Sequence, residues 1–387
     1  MISCCRTGCS RPWTFGLRTC LSIAVLASFT TSLVHAQQGV VLKELFSKHF
    51  RIGAAISTPQ VMGEELLALE LAARHFNTIT AENVLKWTEI HPQLDEYNFE
   101  AADHYVAFGQ KHCMFIVGHT LVWHNQTPEW VFQDESGRPA SQEVLVERMR
   151  DHIHTVVGRY KGKIGGWDVV NEAFEDDGRL RDSPWRRIIG EEYLELAFRF
   201  AHEADPQAEL YYNDYNEWHP GKRKAINRLV RSFKMKGIRI DGIGMQGHWG
   251  LDYPPLPEIE AMLNDYGKLD VKLMVTELDV NMLPRPGAET AAEVAATVEG
   301  DDALNPYAAG LPEEKSRELA DRYAAIFTVL LKHHEKIDRV TLWGVHDGQS
   351  WLNNWPIRGR TAYPLLFDRQ LQPKLAFKAV AGAAADN

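Results

Sequence analysis

The sequence predicts an α/β fold, a single-domain (β/α)8 or TIM barrel, on three observations. Short β-rich apolar runs recur, a helical pattern follows each, and nearly every run closes on polar residues. The runs are Arg51 to Ala55, Phe76 to Thr80, Met114 to Gly118, Gly166 to Asn171, Glu209 to Asn213, Gly242 to Gln246, Lys272 to Glu277 and Arg339 to Trp343. Strands alternating with helices read as parallel β/α units. Eight such units in one domain favour a closed barrel over an open doubly wound sheet. No GxGxxG or GxxxxGK[ST] loop follows any of the strands, which counts against nucleotide binding.

The helical pattern is clearest at Gln142 to Tyr160. Ser141 is placed as N-cap, Glu143 suits the positive N-terminus, and Leu145, Met149, Ile153, Val156 and Tyr160 form one apolar stripe. The longest connection without strand character, Leu283 to Pro312, follows the seventh strand and is rich in Ala and acidic residues. It reads equally as a lid over the barrel mouth or as a solvated loop.

The N-terminus has a different character. Arg6, Arg11 and Arg18 precede the apolar stretch Cys20 to Val34, no acidic residue occurs before Glu44, and the stretch ends in Val34-His35-Ala36. This is the pattern of a secretory signal peptide, residues 1–36, cleaved after Ala36 to leave residues 37–387 as the catalytic barrel domain of an exported protein. About 15 apolar residues fall short of the roughly 20 that span a bilayer, so no membrane association is expected after cleavage. Cys20 stands at the start of the apolar stretch instead of following it, which argues against lipidation.

Cys4, Cys5, Cys9 and Cys20 leave with that segment, so Cys113 has no partner for an intramolecular disulfide and the fold must rest on its core. Losing three arginines moves the formal charge from −10 to −13. An acidic surface argues against nucleic acid and anionic membrane as partners and suits a neutral ligand. The chain is expected to act as a monomer without a cofactor.

In such barrels the active site lies at the C-terminal ends of the strands. Strand two ends at Glu82-Asn83 with Lys86-Trp87 beyond, and strand three runs into His119, Trp123 and Gln126. Strand four ends at Asn171-Glu172, strand five at Asn213-Asp214-Tyr215-Asn216, strand six at Gln246-Gly-His248, strand seven at Glu277-Leu-Asp279, and strand eight at Trp343 with Trp351 beyond. Glu172 and Glu277 would face each other across the mouth. Cleaving a glycosidic bond needs such a pair, one carboxyl to protonate the leaving oxygen and one to attack or stabilise the anomeric carbon, about 5 to 5.5 Å apart in the retaining geometry. Either glutamate alone reads more readily as a salt-bridge or capping residue.

Alternation puts Glu277 on one side with Asp279, and Gln246 with His248, so that a His/Asp pair can hold the nucleophile ionised. The same rule points Asn171 and Glu172 in opposite directions, so both reach the site only if strand four breaks its alternation between Val170 and Glu172. Trp87, Trp123, Trp343 and Trp351 beside these clusters suit stacking on sugar rings, each indole N–H binding a hydroxyl; individually each is as readily a core residue.

The segments Thr-Ala-Glu-Asn-x-x-Lys-Trp (80 to 87), Gly-His-Thr-Leu-Val-Trp-His-x-Gln (118 to 126), Trp-Asp-Val-Val-Asn-Glu-Ala (167 to 173) and Thr-Glu-Leu-Asp (276 to 279) closely resemble glycoside hydrolase family 10, the barrel xylanases, over about Lys43 to Val380. The resemblance implies a retaining endo-β-1,4-xylanase acting on xylan, with Glu172 as acid/base and Glu277 as nucleophile. It further implies that Glu82, Asn83, Lys86, His119, Trp123 and Gln126 bind sugar on the glycone side and that Asn171 contacts the 2-hydroxyl of the sugar under attack. His248 and Asp279 would support Glu277, Tyr215 and Gln246 would line the same region, and Trp343 and Trp351 would wall the cleft. A non-proline cis peptide at His119-Thr120 is also implied. Val84 and Leu85 stand where Met often precedes the lysine, and Tyr363 lies in a stretch where Arg is frequent.

Three other readings compete. A β-1,4-glucanase or side-chain glycosidase would use the same two carboxylates. A metal-dependent hydrolase is suggested by His152-Ile-His154 and His333-His334, but no His-x-His closes the first strand, and His152 and His154 stand about 200° apart around a helix. A non-catalytic carbohydrate-binding barrel would not require both glutamates.

Overall fold

A computed structural model describes residues 39–285 and 302–385. Eight parallel strands follow in chain order: β1 Arg51–Ile56, β2 Thr78–Ala81, β3 Phe115–Val122, β4 Gly166–Asn171, β5 Glu209–Asp214, β6 Gly242–Met245, β7 Lys272–Asn281 and β8 Ile337–Leu342. Each pairs with its sequence neighbour, β1 pairs with β8 and β6 with β7, so the sheet closes into the predicted barrel.

The principal helices after successive strands are α1 Leu66–His75, α2 Glu100–Lys111, α3 Gln142–Arg159, α4 Tyr193–Ala204, α5 Pro220–Met235, α6 Leu256–Tyr266, α7 Glu313–Lys332 and α8 Leu375–Ala385. Helix α3 starts as expected, the Ser141 hydroxyl accepting from the Val144 N–H, and Leu145, Met149, Ile153 and Val156 are all buried on its inner face.

Alternation divides the barrel wall into two environments. Ile52, Ile79, Ile116, Leu210, Ile243, Leu273, Val275, Val340 and Leu342 point outward into the apolar layer under the helices. Inward-facing positions are smaller or polar. A Cβ on Gly53 would meet Thr78, one on Gly166 would meet Tyr211, and one on Gly244 would meet Asn213 and Thr276. Toward the mouth the inward positions become His119, Asp168, Asn213 and Thr276, whose side chains bond across the strands.

Several strands outrun their expected ends. Strand β7 continues to Asn281 because a short continuation of β6, His248–Gly250, pairs with it, His248 opposite Asp279. Between β6 and that continuation the chain turns at Gly247, with φ of 83°. Strand β3 reaches Val122, with a register irregularity between His119 and Val122.

The signal-peptide expectation concerns residues outside those described, as does most of the candidate lid. What is described of the lid segment anchors to the loop carrying Trp351. Leu283 packs with Leu352 and Ala362, Arg360 donates to the Pro284 carbonyl at 3.1 Å, and Asn305 accepts from the Thr361 N–H at 2.9 Å. Among the described residues no helix is long and apolar enough to cross a membrane.

Candidate active site

Glu172 follows the last residue of β4, Glu277 lies within β7, and both are almost fully buried. A relay of amides joins them. Asn213 Nδ2 donates to Glu277 Oε1 at 2.7 Å and to Asn171 Oδ1 at 2.9 Å, while Asn171 Nδ2 donates to Glu172 Oε1 at 3.2 Å. Gln246 adds a second link: its Nε2 donates to Glu172 Oε1 at 2.9 Å, and its carbonyl accepts from the Glu277 N–H at 2.7 Å.

Asn171 and Glu172 share the site because β4 is irregular. Its register against β5 shifts between Asp168 and Val170, and Glu172 itself adopts φ of 58°. The break therefore begins earlier than the expected Val170-to-Glu172 step and finishes in a left-handed residue. That conformation costs a non-glycine residue about 1 to 3 kcal/mol, so its surroundings must hold it. They do so at each peptide: the Glu172 N–H donates to the Asn213 carbonyl, the Ala173 N–H to the Tyr212 hydroxyl, and Arg181 Nε to the Glu172 carbonyl.

Glu277 sits beside His248, whose Nε2 lies 3.1 Å from Glu277 Oε2 and whose Nδ1 lies 3.1 Å from Asp279 Oδ1. Burial opposes the imidazolium, but Asp279 and then Glu277 outweigh it and push His248 up to about 10. Burial likewise raises the Glu277 carboxyl, yet the hydrogen bond from His248, the charge of His119 and the Asn213 amide bring it below the ordinary range. Glu277 is thus an ionised carboxylate at neutral pH. Trp351 Nε1 donates to Asp279 Oδ2 at 2.7 Å and fixes that aspartate from the other side.

The glycone-side candidates converge on Lys86. Its ammonium donates to Asn83 Oδ1 at 3.1 Å and Gln126 Oε1 at 2.9 Å and lies 5.0 Å from the Trp123 ring centroid. Burial lowers its pKa against the opposing fields of Glu277, Glu82 and Glu172. Burial also pushes the Glu82 carboxyl up to about 7, Lys86 only partly offsetting it. His119 pairs with Asp168 at 3.0 Å and lies edge-on to Trp343, 5.5 Å between centroids; the His119-Thr120 peptide is cis. Tyr215 joins the Glu172 side, its hydroxyl accepting from Arg181 at 2.9 Å and its ring covering the Lys222 ammonium at 3.8 Å.

Two expectations about tryptophan are corrected. Trp87 is 2% exposed, stacked 3.6 Å from His152 and edge-on to Trp185, so it lies in the core beneath the site and offers no face to a sugar. Nor are the indole N–H groups reserved for hydroxyls. Trp87 donates to the Leu121 carbonyl, Trp123 to Glu172 Oε2 at 2.9 Å and Trp351 to Asp279.

Two supporting residues, Arg181 and Glu217, escaped the sequence reading, and a third, Asn213, was named there as a strand end without a role. Asn213 was legible, since it closes strand five on the inward side. Arg181 lies in a loop, where no periodicity marks it. Glu217, fully buried, accepts from the Gln246 N–H at 3.0 Å and looks like an ordinary loop glutamate in sequence.

Residues 41–383 match the profile of glycosyl hydrolase family 10. Endo-1,4-beta-xylanase A of Xylanibacter ruminicola is 44% identical over 345 residues, covering 89% of this chain and 94% of its own. Endo-1,4-beta-xylanase B of Paenibacillus barcinonensis is 45% identical, covering 88% and 97%. Among solved structures, a GH10 endoxylanase from a sugarcane soil metagenome superposes with a TM-score of 0.85 at 48% identity, covering 88% of this chain and 99% of that one. A xylanase from Paenibacillus barcinonensis in complex with a conduramine derivative gives 0.80 at 44%, covering 90% and 99%. The profile match and these identities extend over the same barrel whose strand ends carry the paired glutamates, and the chain therefore belongs to glycosyl hydrolase family 10.

Proposed function

We propose that this family 10 hydrolase is an exported endo-β-1,4-xylanase that cuts internal bonds of xylan with retention, Glu277 as nucleophile and Glu172 as acid/base. The observation that carries the reading is the pair itself: two buried carboxylates joined through Asn213 and Asn171, of which Glu277 is the one paired with the His248 imidazolium and so suited to be the nucleophile. Glu277 attacks the anomeric carbon as Glu172 donates its proton to the departing oxygen, and the glycosidic C–O bond breaks. Water then enters, Glu172 takes its proton, and the glycosyl–Glu277 bond is cleaved, restoring both groups. Asn171 stands between the two carboxylates, where it can meet the 2-hydroxyl of the attacked sugar.

The test is stereochemical. Glu277→Ala should lose xylan hydrolysis and, with azide and an activated xylobioside, yield the α-azide. Glu172→Ala should yield the β-azide, since there the nucleophile is intact. Near-normal hydrolysis by Glu277→Ala without azide rescue overturns the assignment. Faster release of sugar from carboxymethylcellulose than from xylan by the unaltered enzyme overturns the substrate.

A further inference from the structure

The backbone of Glu172 is held by a residue that makes no hydrogen bond to its carboxylate. Arg181 is 6% exposed and its guanidinium is committed on every side. Its Nε donates to the Glu172 carbonyl at 3.0 Å, one terminal nitrogen donates to the Tyr215 hydroxyl at 2.9 Å, and the other pairs with Glu175 at 3.2 Å. Its backbone N–H donates to the Ala173 carbonyl at 2.7 Å, closing the loop that follows β4 back onto the turn at Glu172.

A carbonyl carries information about the residue that owns it. Glu172 sits at φ of 58°, a conformation its neighbours must hold, and its carbonyl is one of the groups by which they hold it. Arg181 donates to that carbonyl, and a planar fork of fixed geometry holds a peptide orientation better than a flexible ammonium can. A small cavity bordered by Glu172, Arg181, Ser183 and Tyr193 lies alongside. The other end of the fork reaches the Tyr215 hydroxyl.

We propose that Arg181 is a positioning residue for proton donation, fixing the Glu172 peptide and tying it to the Tyr215 hydroxyl. The proposal rests on Glu172 being the acid/base, and its test separates the two claims. Loss of aim is selective: it harms steps that need a proton and spares those that do not. The value of kcat/KM on aryl xylobiosides reports formation of the glycosyl-enzyme, which needs an acid for a phenyl leaving group and none for 2,4-dinitrophenyl.

Arg181→Met should lower kcat/KM on phenyl xylobioside by about 10²-fold, the scale of a misaimed general acid. On the dinitrophenyl substrate it should change by no more than about 2-fold, while kcat there falls and azide restores it, because deglycosylation still needs the base. Arg181→Lys keeps the charge and loses the fork, and should show the same selectivity even if the Met variant fails to fold. Tyr215→Phe should show a smaller selective loss that is not additive with the Arg181 change.

Equal losses on both substrates, or no loss on either, would overturn the proposal. If Glu172→Ala itself shows no leaving-group selectivity, the acid/base reading fails. If Glu172→Ala shows it and the Arg181 variants do not, only the role of Arg181 fails.

Discussion

His248 is the residue on which the charge state of the site turns. It lies 3.1 Å from both Glu277 and Asp279, and these carboxylates push it up to about 10 against burial. A histidine raised from 6.5 contributes its stabilisation fully below pH 6.5 and loses it as pH rises through about 10. Asp279→Asn removes one of the two partners. The melting temperatures of the two proteins should therefore differ most below pH 6.5 and converge as pH passes 10; thermal melts from pH 6 upward check this, and a constant offset would show that the pairing does not set the charge. Alternation put Glu277 on one side with Asp279, but the meeting of His248 with Asp279 depends on the turn at Gly247 and the strand continuation that sets His248 opposite Asp279. The second tie on Asp279, from the Trp351 indole, was not legible in sequence, because it comes from a loop beyond β8 whose path no local pattern specifies.

At the scale of elements, the second shell of the barrel is built where α3 meets the turn after β2. His152, on the buried face of α3, stacks on Trp87 and places its Nδ1 3.2 Å from that of His91. Burial first, then His91, holds its pKa well below 6.5. In the folded protein His152 is neutral, whereas the unfolded chain binds its proton as pH falls below 6.5, so stability declines on the acid side. His152→Phe keeps the ring stack and removes the proton site. The pH slope of unfolding free energy between about pH 5 and 6 should ease by about one proton, ~1.4 kcal/mol per pH unit. Denaturant titrations measure that slope, and an unchanged value rules out His152 as its source. The helix itself, with its Ser141 cap and apolar stripe, was readable from spacing. That Trp87 belongs to this stack and not to the cleft was decided by packing: the two neighbours in sequence, Lys86 and Trp87, point to opposite sides, and the ammonium takes the site while the indole takes the core.

For the whole molecule, the apolar layer between sheet and helices and the polar inward positions follow from one alternation, and that is why eight runs and their terminal residues sufficed to place a site at one end of a barrel. The leader predicted at residues 1–36 makes its own claim. An exporting host should release a chain beginning at Gln37, read by intact mass, and the same chain expressed without residues 1–36 should melt and hydrolyse xylan as the released protein does. An exported chain still beginning at Met1 would show that the segment is not cleaved. The sequence by itself determined the fold class and which polar residues close the strands, Glu172 and Glu277 among them, since periodicity and strand-end position are local properties of a chain. Tertiary structure alone decided what holds Glu172. A left-handed residue at the end of β4 follows from no propensity of glutamate; it persists because Tyr212, Asn213 and Arg181, distant in sequence or hidden in a loop, satisfy its peptides from three sides.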